Sequence, residues 1–261
     1  MRIIIILAVL FCYMSFSRDD YPVQKQSKIK ENQQAYDDSV YCNRFNLNDC
    51  FNWHPGEERL GSYGEFLTYK KIVATCGQGD SYFKILCNVY LPTRKGSTEI
   101  DLILIHETGI YVFESKNYSG WIFGSEKQKN WVQTINRNTK THFYNPIRQN
   151  SGHISALKSI IGSNLNYISF IVFSERCELK KVPDDIPGRI LIRRQNLERV
   201  LAAEFSKNLR IVPRLSSIQI DNLFEKLSPF ANVSENKKQM HIQQIKAKSN
   251  IDFVDESDLP F

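Results

Sequence analysis

Apolar and polar positions along the chain predict strands framed by helices. Between Leu60 and Ala74 the apolar and aromatic positions fall at helical spacing, which predicts an amphipathic first helix. We expect a second helix over Pro146–Ile161, because proline suits a first helical position and the aliphatic residues that follow share one face. Two more helices are expected over Gln195–Lys207 and Ser217–Leu227.

Runs of β-branched and aromatic residues predict the strands. Four runs follow the first helix and two follow the second: Phe83–Leu91, Glu99–His106, Ile110–Lys116, Trp121–Phe123, Tyr167–Phe173 and Arg189–Ile192. The fifth of them is apolar without alternation, as expected for a strand that is buried on both faces. Helices and strands in this order indicate an α/β fold.

Composition separates a folded centre from polar ends. An apolar content of 42% is typical of globular proteins, and 261 residues can form one full core with a small appendage. Residues 18–55 are rich in Gln, Asn, Asp and Lys without a sustained period, so we expect a polar linker there. Residues 231–261 are polar and charged, and we expect a flexible tail.

The first 17 residues predict a membrane-directed segment, because Met1 and Arg2 precede an uncharged apolar run from Ile3 to Phe16. This run is shorter than the roughly 17 to 25 residues that span a bilayer. Small residues near Ser17 leave a cleaved signal peptide and export as one alternative, and a buried terminal strand as another. Basic residues after the run favour an N-terminal anchor, so we expect a membrane-associated protein.

The net charge and the cysteines give only limited information about what the protein binds. The net charge of +6 favours an anionic partner, either nucleic acid or an acidic membrane, although solvated lysines explain it equally well. The six cysteines form no CxxC pair and no zinc-type cluster with histidine. Cys76 and Cys87 lie in apolar runs and are interpreted as buried thiols, whereas Cys42 and Cys50 could pair in an exported protein.

Charged residues interrupt the second and third predicted strands, which are joined by a short turn ending in Gly109 and therefore indicate a hairpin. Because side chains alternate faces, Glu99 should share a face with Asp101, and Lys116 with Glu114. If residues 107 and 108 are the centre of the turn, Asp101 lies directly opposite Glu114. Directly opposite side chains are about 4.5 to 5.5 Å apart.

Two carboxylates this close repel each other unless a cation lies between them, and oxygen ligands of this kind suit Mg²⁺ or Mn²⁺. The ammonium of Lys116 would lie near the same centre, where it could orient a water or stabilise charge on a phosphate. The alternative is a solvent-exposed hairpin face with alternating charges. The apolar residues around these positions favour central strands, where unpaired charges are rarely buried.

Several motifs occur in a characteristic order: Gly64-Glu65, Thr98-Glu-Ile-Asp101, Gly109-Ile-Tyr-Val-Phe-Glu-Ser-Lys-Asn117, Gly120-Trp-Ile122, Trp131, and Asn145-Pro-Ile-Arg-Gln149 with His153. In this order the chain resembles the nuclease-related domain family, NERD, a branch of the PD-(D/E)xK nuclease superfamily, over roughly residues 61–173. One departure is Ile100, which stands where the superfamily pattern has proline.

The resemblance implies a restriction-endonuclease-like core, with a helix, a mixed central sheet of about four to five strands, and flanking helices. We place this domain at 56–175 and a strand and helical extension of it at 176–230. The implied site residues are Asp101 as the metal-binding aspartate, Glu114 and Lys116 as the signature pair, Glu65 as the helical acid, and Gln149 as the polar residue of the later helix. The implied cofactor is Mg²⁺ or Mn²⁺, held by the three acids.

Two other polar residues are given plainer interpretations. Glu99 could be a spare ligand, but we interpret it as an exposed partner of a basic residue. His153 is interpreted as a histidine on a helix face, because the superfamily mechanism needs none.

The function predicted from this resemblance is metal-dependent hydrolysis of phosphodiester bonds, with DNA as the favoured substrate. Basic positions that could grip the phosphates are Lys127, Lys129, Arg137, Lys140, Arg148 and Lys158. Trp121 and Trp131 could stack on unpaired bases, although tryptophans near strands more often belong to the core. The alternative is a membrane-tethered module that keeps the nuclease fold and binds nucleic acid or protein without catalysis.

Overall fold

The computed structural model describes residues 57–231, except 80, 95, 136–138 and 185, together with residues 240, 241 and 243. The membrane-directed segment, the linker up to residue 55 and most of the tail predicted after residue 231 lie outside the described residues. Within these ranges, no helix combines the length and the apolar character needed to cross a bilayer.

The described ranges contain four α-helices and nine strands. The helices are α1 (Glu57–Gly77), α2 (Pro146–Ile161), α3 (Leu197–Ile211) and α4 (Ser217–Ala231). The strands are β1 (Phe83–Thr93), β2 (Gly96–His106), β3 (Gly109–Lys116), β4 (Gly120–Phe123), β5 (Asn130–Ile135), β6 (Thr139–Tyr144), β7 (Tyr167–Phe173), β8 (Cys177–Lys181) and β9 (Arg189–Arg193).

The strands form two sheets. The central sheet has the order β1-β2-β3-β7-β9, with β1 to β3 antiparallel and β3, β7 and β9 parallel. This mixed five-stranded sheet with flanking helices confirms the predicted α/β core. The second sheet, with the order β6-β5-β4-β8, was not expected, because of its four strands only β4 shows a clear strand pattern in the sequence.

Helices cover both faces of the central sheet. On one face, α1 and α3 contribute Ile72 and Leu201 to a cluster with Leu104 of β2. On the other face, α2 and α4 pack Leu157 and Leu227 against the opposite side of the sheet. Strands covered on both sides need apolar residues at successive positions, which explains the continuous runs in β2, β3 and β7. Cys76 and Cys87 lie in the first of these clusters as buried cysteines, as predicted.

The alternation of side chains between the two faces of the central sheet fails at one point of β1 and β2. Ile100 and Ile103 pack in the same cluster although they are an odd number of positions apart, three, so the side chains change phase once between them. On the neighbouring strand, Asn88 has a positive φ of 49° and is left out of the ladder, while the residues on either side of it pair normally. Asp101 lies at this changeover, so that simple alternation does not decide its face, and the prediction that it shares a face with Glu99 stays a prediction.

Two kinds of contact hold the second sheet in place: apolar packing of its inner face against the central sheet, and hydrogen bonds of the Asn145 side chain. Ile122 and Trp131 pack against Phe173 of β7. The side chain of Asn145 accepts from the first amides of α2, and its amide group donates to three carbonyls of the β4–β5 loop at 2.7 to 3.1 Å. Asn145 thus fixes the start of α2 relative to the second sheet.

The β2–β3 turn generates a testable prediction. Gly109 has a φ of +139°, and a Cβ there would lie 2.4 Å from the carbonyl oxygen of Asn166. We expect Gly109→Ala to lower the free energy of unfolding by at least about 1 to 3 kcal/mol. The control is Gly152→Ala within α2, where a Cβ meets nothing within 4 Å and should stabilise the helix by about 0.5 to 1 kcal/mol. Urea unfolding measures both, and equal stabilities would contradict this account of the turn.

Candidate functional site

The site begins where β2 and β3 separate. Their ladder runs from the His106–Gly109 pair to the Leu102–Phe113 pair, which confirms the register that sets Asp101 against Glu114. Beyond that pair a side chain replaces the backbone ladder, because Oδ2 of Asp101 accepts the backbone N–H of Ser115 at 2.7 Å. The hairpin therefore opens at the two carboxylates, while Asp101 still ties its two strands together.

Glu114 is the buried centre of the site, with 1% of its surface exposed. Its Oε1 lies 2.6 Å from Nζ of Lys116, and its Oε2 lies 2.9 Å from Nε2 of His153. Burial alone would raise the pKa of Glu114, but Lys116 and His153 together lower it below its usual value. Glu114 is thus held as a carboxylate with a partner on each oxygen.

Lys116 connects the hairpin to α2. Its Nζ donates to Oε1 of Gln149 at 3.1 Å in addition to its ion pair with Glu114. Burial alone would lower the pKa of Lys116, yet the neighbouring carboxylates raise it above its usual value. Gln149, which the resemblance gave as the polar residue of the later helix, thus contacts Lys116. The lysine is an ammonium at neutral pH.

The environment of Asp101 shifts its pKa in the opposite direction to that of Glu114. Burial raises its pKa well above the usual value, and the charges of Glu114 and Glu65 raise it further. Lys116 and the amide of Ser115 lower it only in part. Negative charge is therefore in excess at Asp101.

Glu65 reaches the site from α1. Its Oε2 accepts from Nδ2 of Asn88 at 3.1 Å, and the same amide donates to Oε1 of Glu99 at 3.2 Å. The hydroxyl of Tyr90 also donates to Glu99. Glu99 is thus half-buried and bonded to neutral groups, so its interpretation as the exposed partner of a basic residue is wrong.

His153 has a larger role than the sequence indicated. It is buried, and it joins Nδ1 to the hydroxyl of Thr98 at 2.9 Å and Nε2 to Glu114. His153 does lie on a face of α2, as interpreted, but that face is turned towards Glu114. One signal for this role was present, since Gln149 and His153 are four residues apart on one helix and so share a face.

Arg194 was missed by the sequence analysis because its partners are far away in the chain. This buried arginine donates to the carbonyl of Gly64 at 2.9 Å and forms three bonds to the carboxylate of Glu175. A Cβ at Gly64 would lie 2.5 Å from Cβ of Asn117, so α1 passes very close to the end of β3. Arg194 thereby fixes the helix turn that carries Glu65.

The predicted basic positions fall into two groups. Lys127, Lys129, Lys140 and Arg148 are exposed around the second sheet, and Arg148 donates to the carbonyl of Lys127. Lys158 lies instead near the C-terminal end of α2, with its Nζ 5.2 Å from the ring centre of Tyr167. Arg137 lies outside the described residues.

The two tryptophans proposed for stacking differ. Trp131 is completely buried, and its indole N–H donates to the carbonyl of Ser125, so it belongs to the core and is not available for stacking on bases. Trp121 is 39% exposed and remains accessible to a ligand.

The carboxylates fit a hard divalent cation by their chemistry. Within the described residues, no three or more His, Cys, Asp or Glu side chains form a group that could hold a metal as they stand. The excess negative charge at Asp101, to which Glu65 and Glu114 contribute, would be relieved by a cation, and carboxylate oxygens suit Mg²⁺. Glu114 would have to release one of its two present partners in order to act as a ligand.

Comparison with known proteins identifies the domain that carries this site. A family model described as the nuclease-related domain, NERD, matches residues 60–174. Residues 60–174 are thus similar to NERD domains. The match contains most of α1 and all of the opened hairpin, α2 and β7. It therefore includes every proposed site residue: Glu65, Asp101, Glu114, Lys116 and Gln149. The matched family is the one that the sequence motifs indicated.

A curated relative indicates neither a family nor an activity. An uncharacterized protein of Bacillus anthracis is 48% identical over 103 residues, which are 39% of this chain and 48% of that protein. The chain thus matches about half the length of this relative. No solved structure was matched by the chain.

The charge on Asp101 generates a prediction for the metal-free protein. Folding raises the pKa of Asp101 above the value in the unfolded chain, which is about 3.9. Such a group lowers the stability of the fold progressively as the pH rises from the unfolded pKa through the folded pKa. Asp101→Asn keeps an oxygen for the amide of Ser115 and removes the charge. It should therefore raise the melting temperature at neutral pH in chelator, with a gain that disappears on acidification.

The matched control is Asp184→Asn, because Asp184 is an exposed aspartate away from the hairpin. Its melting temperature should follow that of the wild type across the pH range. A neutral-pH melting temperature of Asp101→Asn that is equal to or below that of the wild type would contradict the excess of negative charge at this position.

Proposed function

We propose that the NERD domain of this protein is a metal-dependent nuclease that hydrolyses phosphodiester bonds, with DNA as the favoured substrate. The observation that carries the proposal is the convergence of Asp101, Glu114 and Lys116 where the hairpin opens, with Gln149 bonded to the lysine. A buried ion pair of this kind is weak evidence for stability alone. Its setting beside an aspartate with excess negative charge favours a chemical role.

The cation proposed for this site is Mg²⁺ or Mn²⁺, held by Asp101 and Glu114 with Glu65 as a direct or water-bridged third ligand. When bound, it would supply positive charge beside the scissile phosphate. Glu65 already accepts from Asn88, which fixes the direction of its carboxylate. Asp101 is fixed in the same way by the amide of Ser115.

Lys116 has a role that its environment defines. Because nearby carboxylates raise its pKa, it remains an ammonium and cannot take a proton from water at neutral pH. It is suited instead to donating hydrogen bonds to an attacking water or to charge that develops on the phosphate. Gln149 restrains the ammonium from the side of α2.

His153 acts through Glu114 in this proposal. It holds Oε2 of Glu114 while Thr98 holds its other ring nitrogen, so that rotation of the carboxylate is restricted. This is a positioning role, and it requires no proton transfer by the histidine.

A binding module without catalysis is the second candidate. The observation in its favour is that both oxygens of Glu114 are already occupied, by Lys116 and by His153. Such a module would keep the opened hairpin as a structural feature and would have no need for a cation. Metal binding therefore separates the two candidates.

The proposal predicts that metal binding and turnover separate on mutation. Asp101→Asn and Glu114→Gln should each reduce metal-dependent cleavage by more than the roughly 10- to 100-fold that loss of an outer-shell partner costs. The double variant should be little worse than either single variant, because the two carboxylates act as one unit. Lys116→Ala should bind the cation normally and lose about 100-fold or more in kcat.

The measurement is cleavage of single- and double-stranded DNA and of RNA by the full chain, with Mg²⁺, Mn²⁺ or chelator. Glu225→Gln is the control, since this exposed glutamate lies on α4, outside the family match. Wild-type protein that binds nucleic acid but neither binds Mn²⁺ nor cleaves in its presence would establish the binding module instead.

A further inference from the structure

The outer face of the second sheet combines aromatic rings with basic side chains. Strand pairing sets Trp121 opposite Thr134 and Thr134 opposite Lys140, so these three residues share a face. The next row on that face is Phe123, Val132 and His142, and the one after it contains Asn130 and Tyr144. We call this surface, formed by Trp121, Phe123, Lys140, His142, Tyr144 and Lys181, the outer platform.

The outer platform is accessible, unlike the other face of the same sheet. Trp121 and Tyr144 have 39% and 47% of their surfaces exposed, and β6 is exposed at every position but one. The inner face carries Ile122 and Trp131, both completely buried against the central sheet. The burial of the sheet therefore explains its inner aromatic residues but leaves its outer ones without a role in the core.

Charge determines which partner this surface fits. Lys181 pairs opposite Phe123, and Nζ of Lys180 lies 5.4 Å from the ring centre of Trp121. An acidic residue, Glu178, also lies beside these lysines: it pairs opposite Trp121, and its carboxylate binds Nζ of Lys180 at 2.5 Å. Exposed rings beside lysines are complementary to unpaired bases and their phosphates, because every base can stack while the lysines neutralise the backbone.

We propose that the outer platform binds single-stranded nucleic acid and delivers it to the opened hairpin, an inference that rests on the proposed function and names its substrate class. Only residues 117–119 separate β3 from β4. The Cα atoms of Lys116 and Trp121 are therefore at most about 17 Å apart, the extended length of five residues. One short oligonucleotide can contact both places.

Duplex is a poorer match to this surface. In a duplex the bases are stacked on one another, so their faces cannot contact Trp121 or Tyr144 without unpairing. The lysines would still bind the duplex backbone, so the expected preference for a single strand comes from the rings alone.

The test measures binding of the full chain, in chelator so that nothing is cleaved, to labelled 15-nucleotide dT and rU strands and to a 15-base-pair duplex. Trp121→Ala should weaken binding to either single strand by about 5- to 150-fold. Trp121→Phe keeps a ring and should recover most of the affinity. Lys181→Ala should reduce the slope of log affinity against log salt by about 0.7.

Two further variants make the test specific. Glu178→Gln removes the carboxylate from the platform and frees Lys180, so it should tighten binding by about two- to fivefold. Ile135→Ala is the matched control, because Ile135 is also an exposed apolar residue of this sheet. By alternation along β5 its side chain lies on the opposite face from the outer platform. It should bind like the wild type.

Each outcome is decisive for the platform. Unchanged single-strand binding by Trp121→Ala, or wild-type binding to duplex at least as tight as to single strands, overturns the inference. A Trp121→Ala change that appears only in the oligomeric state assigns the surface to a protein partner and also overturns it. Single-strand binding that depends on Trp121, without cleavage in Mn²⁺, would leave the platform standing while the nuclease proposal fails.

Discussion

The candidate site depends on one constraint, which is that the carboxylate of Glu114 is buried in a central strand and must be paired. A buried charge without partners costs several kcal/mol, so the fold has to bring donors to it. Lys116 supplies one donor from the same strand and His153 the other from α2. These contacts fix the position of α2 against the hairpin, and Gln149 is placed beside the lysine as a consequence.

Local pattern was enough to predict the hairpin and its register. The alternation of charged and apolar residues around a short turn set Asp101 against Glu114, and the ladder up to Leu102 and Phe113 follows that register. The central sheet and its four helices were also predictable, because apolar periodicity survives where an element is buried on a defined face. Gln149 was found only through the order of motifs, since nothing within its helix indicates contact with Lys116.

What the sequence did not predict depends on contacts between distant parts of the chain. Arg194 reaches Gly64 across 130 positions, and no local period records such a bond. The second sheet was largely missed because β6 is almost wholly exposed and β5 mixes polar and apolar residues. Strict alternation also failed beside Asn88, where the strands change phase at the site itself. Departures from regular structure are expected at functional positions, where local preference gives way to a chemical requirement.

The central claim is that the carboxylates of the opened hairpin bind a divalent cation, and anomalous scattering from crystals of the protein grown with Mn²⁺ tests it most directly. The account predicts one strong peak in contact with Asp101 and Glu114, with Nζ of Lys116 moved away from Oε1 of Glu114 to admit the ion. Crystals at saturating Mn²⁺ that show no peak at the hairpin, and in which Glu114 still bonds to both Lys116 and His153, would contradict it.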